Sequence, residues 1–298
     1  DFYFQSQVQS KFAVRAQALQ LLITSIFKIY LVWSQAELIW FAFALMLDQA
    51  VVAVLFLLVY RWQIELFPLF SFRWIQAKKL MKDAWPLIFA GMVVSVYMKI
   101  DQVMLKEMLD AKAVGIYAAA VKLCEAWYFV PTAVIASLFP AVIEARKKSE
   151  PLYEKRVQKL YDLMVWGALL VALPTTLLAD WVIYIFYGVD YQEAADVLKL
   201  YIWAGVFVSL GGASSKWLIA ENLARYSFYM TALGAILNIV CNYFLIPIYG
   251  IRGAAIATLI SYGTAAYLSL ALFDKTRNNF WIATSALNPY GVYERAKE

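Results

Sequence analysis

The chain has 298 residues, of which 63% are hydrophobic and 16% are charged, and its net charge is +5. A soluble globular domain is about half apolar and about one quarter charged, so this composition excludes an ordinary soluble protein and indicates a bundle of membrane-spanning helices. The sequence contains no histidine, which removes the commonest metal ligand and any Ser-His catalytic pair.

The remaining composition also argues against catalysis and against nucleic-acid binding. The two cysteines, Cys124 and Cys241, are far apart in apolar stretches and form no metal or redox motif. The positive charge predicts Lys and Arg residues at the cytoplasmic ends of membrane helices, and does not require a nucleic-acid partner. We therefore expect a transporter with no catalytic residues, no metal site and no cofactor.

Eight apolar stretches are long enough to be membrane spans, which predicts an all-α, polytopic membrane protein. In chain order they cover residues 12–33, 37–60, 84–105, 113–143, 160–174, 197–218, 226–248 and 252–273. Pro131 and Pro140 are expected to kink or break the fourth span. The aromatic stretch 181–188 is expected to form a separate interfacial piece, and the polar tail 275–298 is expected to be peripheral.

The distribution of positive residues predicts how the chain is oriented. Most of the 26 Lys and Arg residues fall on one side of the predicted bundle, which places that side and both ends of the chain in the cytoplasm. The basic and aromatic stretch 61–80 is expected to be a cytoplasmic linker or an interfacial helix. Because the chain begins at Asp1 without Met, we interpret it as the later part of a longer protein.

Several charged residues lie inside the predicted spans, where a charge costs a few kcal/mol unless it is paired or hydrated. Asp48 is near the middle of the second span, and Lys99 and Asp101 are in the third. Lys122 and Glu125 are three residues apart in the fourth span and share a helix face. Such charges indicate a water-filled path. Alternatively, Lys99 could snorkel, Asp101 could be interfacial, and Lys122 and Glu125 could take part in a structural ion pair between helices.

Other polar residues in the spans have two interpretations. Asn238 and Asn242 are four residues apart and therefore share one face, where they could bond a neighbouring helix or a sugar. Lys28 is about five residues from the end of its helix and is expected to snorkel to the interface. Trp127 and Tyr128 could stack on a sugar ring, or could face lipid or the core.

Three segments resemble a known family. The segments WPLIFAGMVVSVYMKIDQVML (85–105) and VGIYAAAVKLCEAWYFVP (114–131) resemble the seventh and eighth helices of Wzx-type O-antigen and polysaccharide flippases. The segment 218–262, with its N-x-x-x-N and L-I-P-x-Y-G patterns, is similar to later helices of the same family. These flippases belong to the multidrug/oligosaccharidyl-lipid/polysaccharide exporter superfamily.

The resemblance implies a MATE-like fold of two six-helix lobes that open alternately to the two sides of the membrane. Residues 1–60 would be the last two helices of the first lobe, 61–80 the interlobe linker, 81–274 the complete second lobe and 275–298 a polar tail. The implied function is to flip an undecaprenyl-pyrophosphate-linked oligosaccharide across the bacterial cytoplasmic membrane. Membrane lipid, a polysaccharide polymerase and a chain-length regulator are the implied partners.

Candidate roles for the intramembrane residues follow from this function. We expect Lys122 and Lys99 to contact the pyrophosphate. The carboxylates of Glu125, Asp48 and Asp101 are candidates for proton or sodium coupling, because a carboxylate that binds a cation can bias the population of two states. The predicted polar or stacking residues of the cavity are Asn238, Asn242, Trp127 and Tyr128.

Three other functions fit the same composition. A multidrug exporter of the same superfamily would have a cavity of carboxylates and aromatic residues without lysine. A peptidoglycan-precursor lipid flippase would carry further helices beyond the eighth span. A membrane glycosyltransferase or O-antigen polymerase would need a large external catalytic loop, and the predicted external loops are short.

Overall fold

The computed structural model describes residues 10–64, 73–78, 81 and 98–297. The chain divides into two compact units, residues 1–80 and residues 81–298. Within the described ranges all regular structure is helical, and seven helical stretches are long and apolar enough to cross a membrane. The chain is therefore a multi-pass membrane protein. Most of the predicted third span, and most of the linker 61–80, lie outside the described residues.

The first unit is a helical hairpin. Helices α1 (Ser10–Trp33) and α2 (Leu38–Ile64) pack against each other. A short turn connects them, and in it Gln35 has a positive φ of 49°. Many large apolar side chains on both helices are exposed, as in Leu22, Ile26 and Met46. Such side chains suit a lipid environment, in which the hydrophobic effect does not drive helices together.

The second unit contains the remaining described helices. They are α3 (98–108), α4 (Ala111–Ala126), α5 (Phe129–Lys148), α6 (Glu150–Tyr187), α7 (Ala194–Tyr201), α8 (Ala204–Ala220), α9 (Ala224–Tyr249), α10 (Ile251–Ala266), α11 (Arg277–Leu287) and α12 (Pro289–Lys297). Short 3₁₀ turns follow α6 at Val189–Tyr191 and α10 at Leu268–Ala271, and a third lies at Asp274–Thr276. Buried side chains form two clusters, one around Tyr117 and Leu198 and one around Tyr161 and Leu210.

Two predicted spans are each divided into two helices. The fourth span divides at Trp127 and Tyr128, before Pro131, and α5 then continues through Pro140. The break therefore comes just before Pro131, whereas Pro140 does not end α5. Pro131 is in the first turn of α5, where a backbone N–H has no helical partner in any case. The sixth span likewise divides at Ile202, between α7 and α8.

The fifth span is longer than predicted. Helix α6 runs through 38 residues from Glu150 to Tyr187, so the stretch 181–188 is not a separate piece. Ser149 caps the start by accepting a hydrogen bond from Leu152 N, and Gly188, with φ of 80°, ends the helix. At about 1.5 Å per residue the helix exceeds the ~30 Å hydrocarbon core, so it extends beyond the apolar layer.

The segment predicted to be a peripheral polar tail instead packs against the bundle. Asn279, Ala283 and Ala286 of α11 are fully buried. In α12, the Arg295 guanidinium donates to both carboxylate oxygens of Asp162 in α6 at 2.9 Å. Because these contacts join residues 133 positions apart, composition alone did not reveal them.

Candidate functional site

A buried polar network surrounds Asp101, which is only 6% exposed. Its carboxylate accepts three hydrogen bonds from three different helices. The donors are the Tyr117 hydroxyl of α4 at 2.9 Å, the Asn242 amide of α9 at 2.7 Å and the Thr258 hydroxyl of α10 at 2.7 Å. The side chain therefore lies where four helices meet and is buried in protein.

A second layer of hydrogen bonds supports this network. Asn242 also donates to Asn238 Oδ1 at 3.1 Å, and Asn238 donates to Ser261 Oγ at 3.3 Å. Both asparagines are almost completely buried. The spacing of four residues does place them on one face, but that face bonds Asp101 and α10. The structure thus assigns Asn238 and Asn242 to the network and not to an open cavity.

The electrostatics of Asp101 are unusual. All of its hydrogen-bond donors are neutral, and none of the cationic side chains that the structure describes comes within ion-pair distance of it. Asn242 Oδ1 is buried and accepts no hydrogen bond from the described part of the chain. The carboxylate is thus held by neutral hydrogen-bond donors and has no counter-ion in the described part of the chain.

A second feature is an open groove of about 360 Å³, which we call the Lys122 groove. Its walls come from α3, α4, the end of α6 and the following 3₁₀ turn. The lining residues are Lys99, Gln102, Gly115, Ala118, Ala119, Val121, Lys122, Glu125, Tyr187 and Tyr191. The structure therefore brings together three residues that the sequence singled out, Lys99, Lys122 and Glu125.

The charges in the Lys122 groove include one ion pair between helices, which is the alternative that the sequence left open for Glu125. Glu125 faces Lys99, with 4.0 Å between Nζ and Oε2, and both side chains are partly exposed. Such an exposed contact contributes little to stability. Lys122 is exposed and has no ion-pair partner among the described residues. Two cations and one carboxylate leave the groove positive, which suits an anionic ligand.

Trp127 and Tyr128 do not line this groove. They lie at the break between α4 and α5 and pack against Gly205 of α8, where an added Cβ would be 3.1 Å from Trp127 Nε1 and 3.3 Å from Tyr128 Cε1. Their Nε1 and hydroxyl groups are buried and have no hydrogen-bond partner among the described residues. The structure gives no support to the prediction that these two side chains stack on a sugar.

Asp48 lies in the first unit and is already paired. Lys28 Nζ is 2.6 Å from Asp48 Oδ2, and Gln20 donates to Asp48 Oδ1 at 3.0 Å. Gln20, Thr24 and Lys28 follow one another at intervals of four residues and so share one face of α1. The prediction that Lys28 snorkels was wrong, because a carboxylate on α2 lies within its reach. Asp48 therefore has an internal counter-ion, whereas Asp101 has none in the described part of the chain.

The Lys28–Asp48 pair gives a testable prediction about stability. We expect Asp48→Asn to lower the free energy of unfolding by a modest amount, because it leaves Lys28 unpaired. This is less than for a fully buried pair, since the Lys28 side chain is 38% exposed. Thermal unfolding of the full-length protein in detergent measures the effect. The double variant Lys28→Met/Asp48→Leu should recover most of the loss, and Glu37→Gln, exposed in the α1–α2 turn, is the control. Equal melting temperatures for Asp48→Asn and Glu37→Gln would contradict the prediction.

The sequence did not single out several residues of these two sites. Tyr117 and Thr258 in the Asp101 network, and Gln102, Tyr187 and Tyr191 in the Lys122 groove, were missed. Hydroxyl groups in apolar helices were the only available signal, and that signal is common in membrane spans. Their roles depend on which helices become neighbours.

Comparison with known proteins finds two matching family models and several relatives that are flippases by name. A family model described as "Polysaccharide biosynthesis protein" matches residues 2–146, and the MatE family model matches residues 86–244. The chain is 24% identical over 207 residues to the "Probable low-salt glycan biosynthesis flippase Agl15" of Haloferax volcanii, covering 66% of this chain and 43% of that protein. It is 26% identical over 191 residues to the "Probable lipid II flippase MurJ" of Borreliella burgdorferi, covering 60% of this chain and 37% of that protein.

A solved structure shares the fold. The structure titled "Lipid II flippase MurJ, inward closed conformation" superposes with a TM-score of 0.63 at 16% identity, covering 82% of this chain and 53% of that one. The similarity confirms the expected MATE-like helical architecture. The chain spans less than half the length of the curated relatives just named.

Proposed function

Because the chain belongs to the MatE family of helical membrane proteins, we propose that the protein is a flippase for a lipid-linked oligosaccharide. The substrate that we propose is an undecaprenyl-pyrophosphate-linked repeat unit of a surface polysaccharide, such as O-antigen. A charged pyrophosphate and a hydroxyl-rich glycan cannot cross hydrocarbon without a polar path. The protein supplies that path by alternating access, while the lipid tail stays in the bilayer. The location that we propose is the bacterial cytoplasmic membrane, with the basic loops on the cytoplasmic side.

The observation that carries this proposal is the positive Lys122 groove. Lys99 and Lys122 both line it, and Glu125 offsets only part of their charge. A pyrophosphate carries several negative charges on compact oxygens, to which a lysine ammonium binds as a point charge. The rival function, export of cationic drugs, would be better served by a groove of carboxylates without lysine. The names of the relatives, which are flippases of glycan biosynthesis and of lipid II, support the same substrate class.

The Asp101 network supports the proposal that transport is coupled to a proton or a sodium ion. Binding of a cation neutralises the buried carboxylate and stabilises the arrangement in which α3, α4, α9 and α10 meet around it. Loss of the cation leaves a buried charge and favours a different arrangement of these helices. A ligand shifts such an equilibrium by the difference between its affinities for the two states. Asp101 is therefore the coupling residue that we propose, in preference to the already paired Asp48.

The lysines provide the direct test of substrate binding. We expect Lys122→Ala to reduce transport of the lipid-linked oligosaccharide about tenfold, which corresponds to ~1.4 kcal/mol. Lys99→Ala should have a comparable effect, because it removes one cation and leaves Glu125 to repel the anion. The measurement uses full-length protein in vesicles that contain the lipid-linked oligosaccharide, and scores the glycan that becomes accessible on the other leaflet.

The matched control is Lys106→Ala, which removes an exposed lysine from α3 outside the groove lining. Lys122→Arg keeps the charge and should retain most of the transport. If Lys122→Ala and Lys99→Ala both transport as well as Lys106→Ala at equal protein levels, the groove is not the anion site and the proposal is wrong. A surface-glycan assay in intact cells gives the same comparison under physiological conditions.

A further inference from the structure

We infer that Tyr187 and Tyr191 form a saccharide-binding platform at one end of the Lys122 groove. This inference rests on the proposed function, and it assigns a position to the glycan part of the substrate. Neither tyrosine was predicted from the sequence as a site residue. The groove would then bind a glycosyl pyrophosphate in two parts, with the anion at the lysines and a sugar ring at the tyrosines.

The two tyrosines differ from the aromatic residues around them. Trp181, Tyr184 and Phe186 on the last turns of α6 are 61%, 57% and 67% exposed, as expected for side chains at a membrane interface. Tyr187 and Tyr191 are only partly exposed, and both line the groove. Their ring centroids are 5.3 Å apart with an interplanar angle of 37°. Both rings also pack against the buried cluster around Tyr117 and Leu198, so one side of each ring is fixed by the bundle and the other side lines the groove.

The backbone around the pair fixes its geometry. Gly188, with φ of 80°, ends α6 and reverses the chain into the 3₁₀ turn that carries Tyr191. Gln192 donates to Asp180 at 3.4 Å, and Lys199 of α7 lies 2.7 Å from the same carboxylate. These contacts connect the turn and α7 to the end of α6. The aromatic pair is therefore held in position before a ligand binds, which lowers the entropic cost of binding.

The rest of the groove suits a sugar ring. The floor consists of Gly115, Ala118 and Ala119, and a Cβ added at Gly115 would meet no atom within 4 Å. The volume of about 360 Å³ is in the range of small-molecule sites, and is larger than a phosphate alone requires. A pyranose has an apolar C–H face that packs on an aromatic ring. Its hydroxyl groups can bond the amide of Gln102 and the carboxylate of Glu125, which line the same groove.

The test separates the two parts of the ligand. Binding to the full-length protein in detergent is measured by calorimetry with two probes: inorganic pyrophosphate, and the free oligosaccharide released by mild acid from the lipid-linked pool of the source cells. We expect Tyr187→Ala and Tyr191→Ala to weaken oligosaccharide binding at least tenfold and to leave pyrophosphate binding unchanged. Lys122→Ala should show the opposite pattern. Tyr184→Ala, on the exposed side of the same helix, is the matched control.

Two further variants separate lost stacking from misfolding. Tyr187→Phe keeps the ring and should bind the oligosaccharide like the wild type. Gly115→Leu fills the open floor without changing either tyrosine, and should weaken oligosaccharide binding as much as Tyr187→Ala. The inference is overturned if wild-type protein does not bind the free oligosaccharide, or if the tyrosine variants bind it as tightly as Tyr184→Ala.

The outcome is distinguishable from a failure of the proposed function. Suppose that wild-type vesicles transport the lipid-linked oligosaccharide and the tyrosine variants bind the free oligosaccharide normally. That result would contradict the saccharide-binding platform and would leave the flippase proposal intact. Absence of transport by the wild type, together with tyrosine-dependent oligosaccharide binding, would contradict the flippase proposal and support the saccharide-binding platform.

Discussion

Asp101→Asn is expected to abolish ion-coupled transport, with a loss of at least about 100-fold, while the protein still folds. The amide retains the shape of the carboxylate and one oxygen acceptor, but it can neither bind a proton in the same range nor neutralise a cation. The hydroxyls of Tyr117 and Thr258 can donate or accept, so they can adapt to an amide at this position. We expect the melting temperature to change by only a few degrees.

Asp101→Ala should be worse for stability as well as for transport. It leaves the Asn242 amide and the two hydroxyl groups without their shared acceptor in a buried site. An unsatisfied buried group costs about 1–3 kcal/mol, although Asn242 retains its bond to Asn238 and the Thr258 hydroxyl can donate to Ala254 O instead. The contrast between Asn and Ala thus separates the role of the charge from that of the network.

The measurement is the rate of transport in vesicles under an imposed sodium gradient and, separately, an imposed proton gradient. The gradient that accelerates the wild type should have no effect on Asp101→Asn. Asp274→Asn, whose side chain is 90% exposed, is the control and should respond like the wild type. Asp101 is not the coupling site if Asp101→Asn retains both the rate and the ion dependence of the wild type.

A second large effect is expected at Gly253, in the first turn of α10. A Cβ at this position would collide with the backbone carbonyl of Leu245 in α9 and would lie 3.0 Å from Ile246 N. A backbone cannot move aside as a flexible side chain can. Gly250, with φ of 59°, joins the two helices just before this contact. We therefore expect Gly253→Ala to lower the free energy of unfolding by about 2–3 kcal/mol, and Gly253→Leu to prevent accumulation of folded protein.

The consequence of Gly253→Ala for function follows from the same helix pair. Asn242 on α9 and Thr258 on α10 must stay close enough to bond one carboxylate, so separation of these helices should also reduce transport. The control is Gly167→Ala in α6, where an added Cβ meets no atom within 4 Å. It should be neutral or stabilising by up to ~1 kcal/mol. Thermal unfolding in detergent decides the matter, and equal melting temperatures for Gly253→Ala and Gly167→Ala would refute the argument.

The membrane helices could be predicted well because their signal is local. A run of about 20 apolar residues identifies a span without reference to the rest of the chain. The seventh predicted span, 226–248, differs by only a few residues from α9, which is Ala224–Tyr249. The breaks at Trp127 and Ile202 could not be predicted in the same way. Neither break falls on a proline or a glycine, although Pro131 follows the first and Gly205 follows the second within four residues.

The sequence by itself determined that the chain is a polytopic membrane protein, and it identified the charged residues that its helices carry into the apolar layer. The tertiary structure decided which of these charges are compensated. Asp48 has a counter-ion 20 positions away, whereas Asp101 is held by neutral donors that include residues 141 and 157 positions away. The physical reason is that the free energy of a buried charge depends on the groups around it in space, and no local pattern specifies which distant helices supply those groups. The same reason made Tyr187 and Tyr191 visible only once the chain was folded.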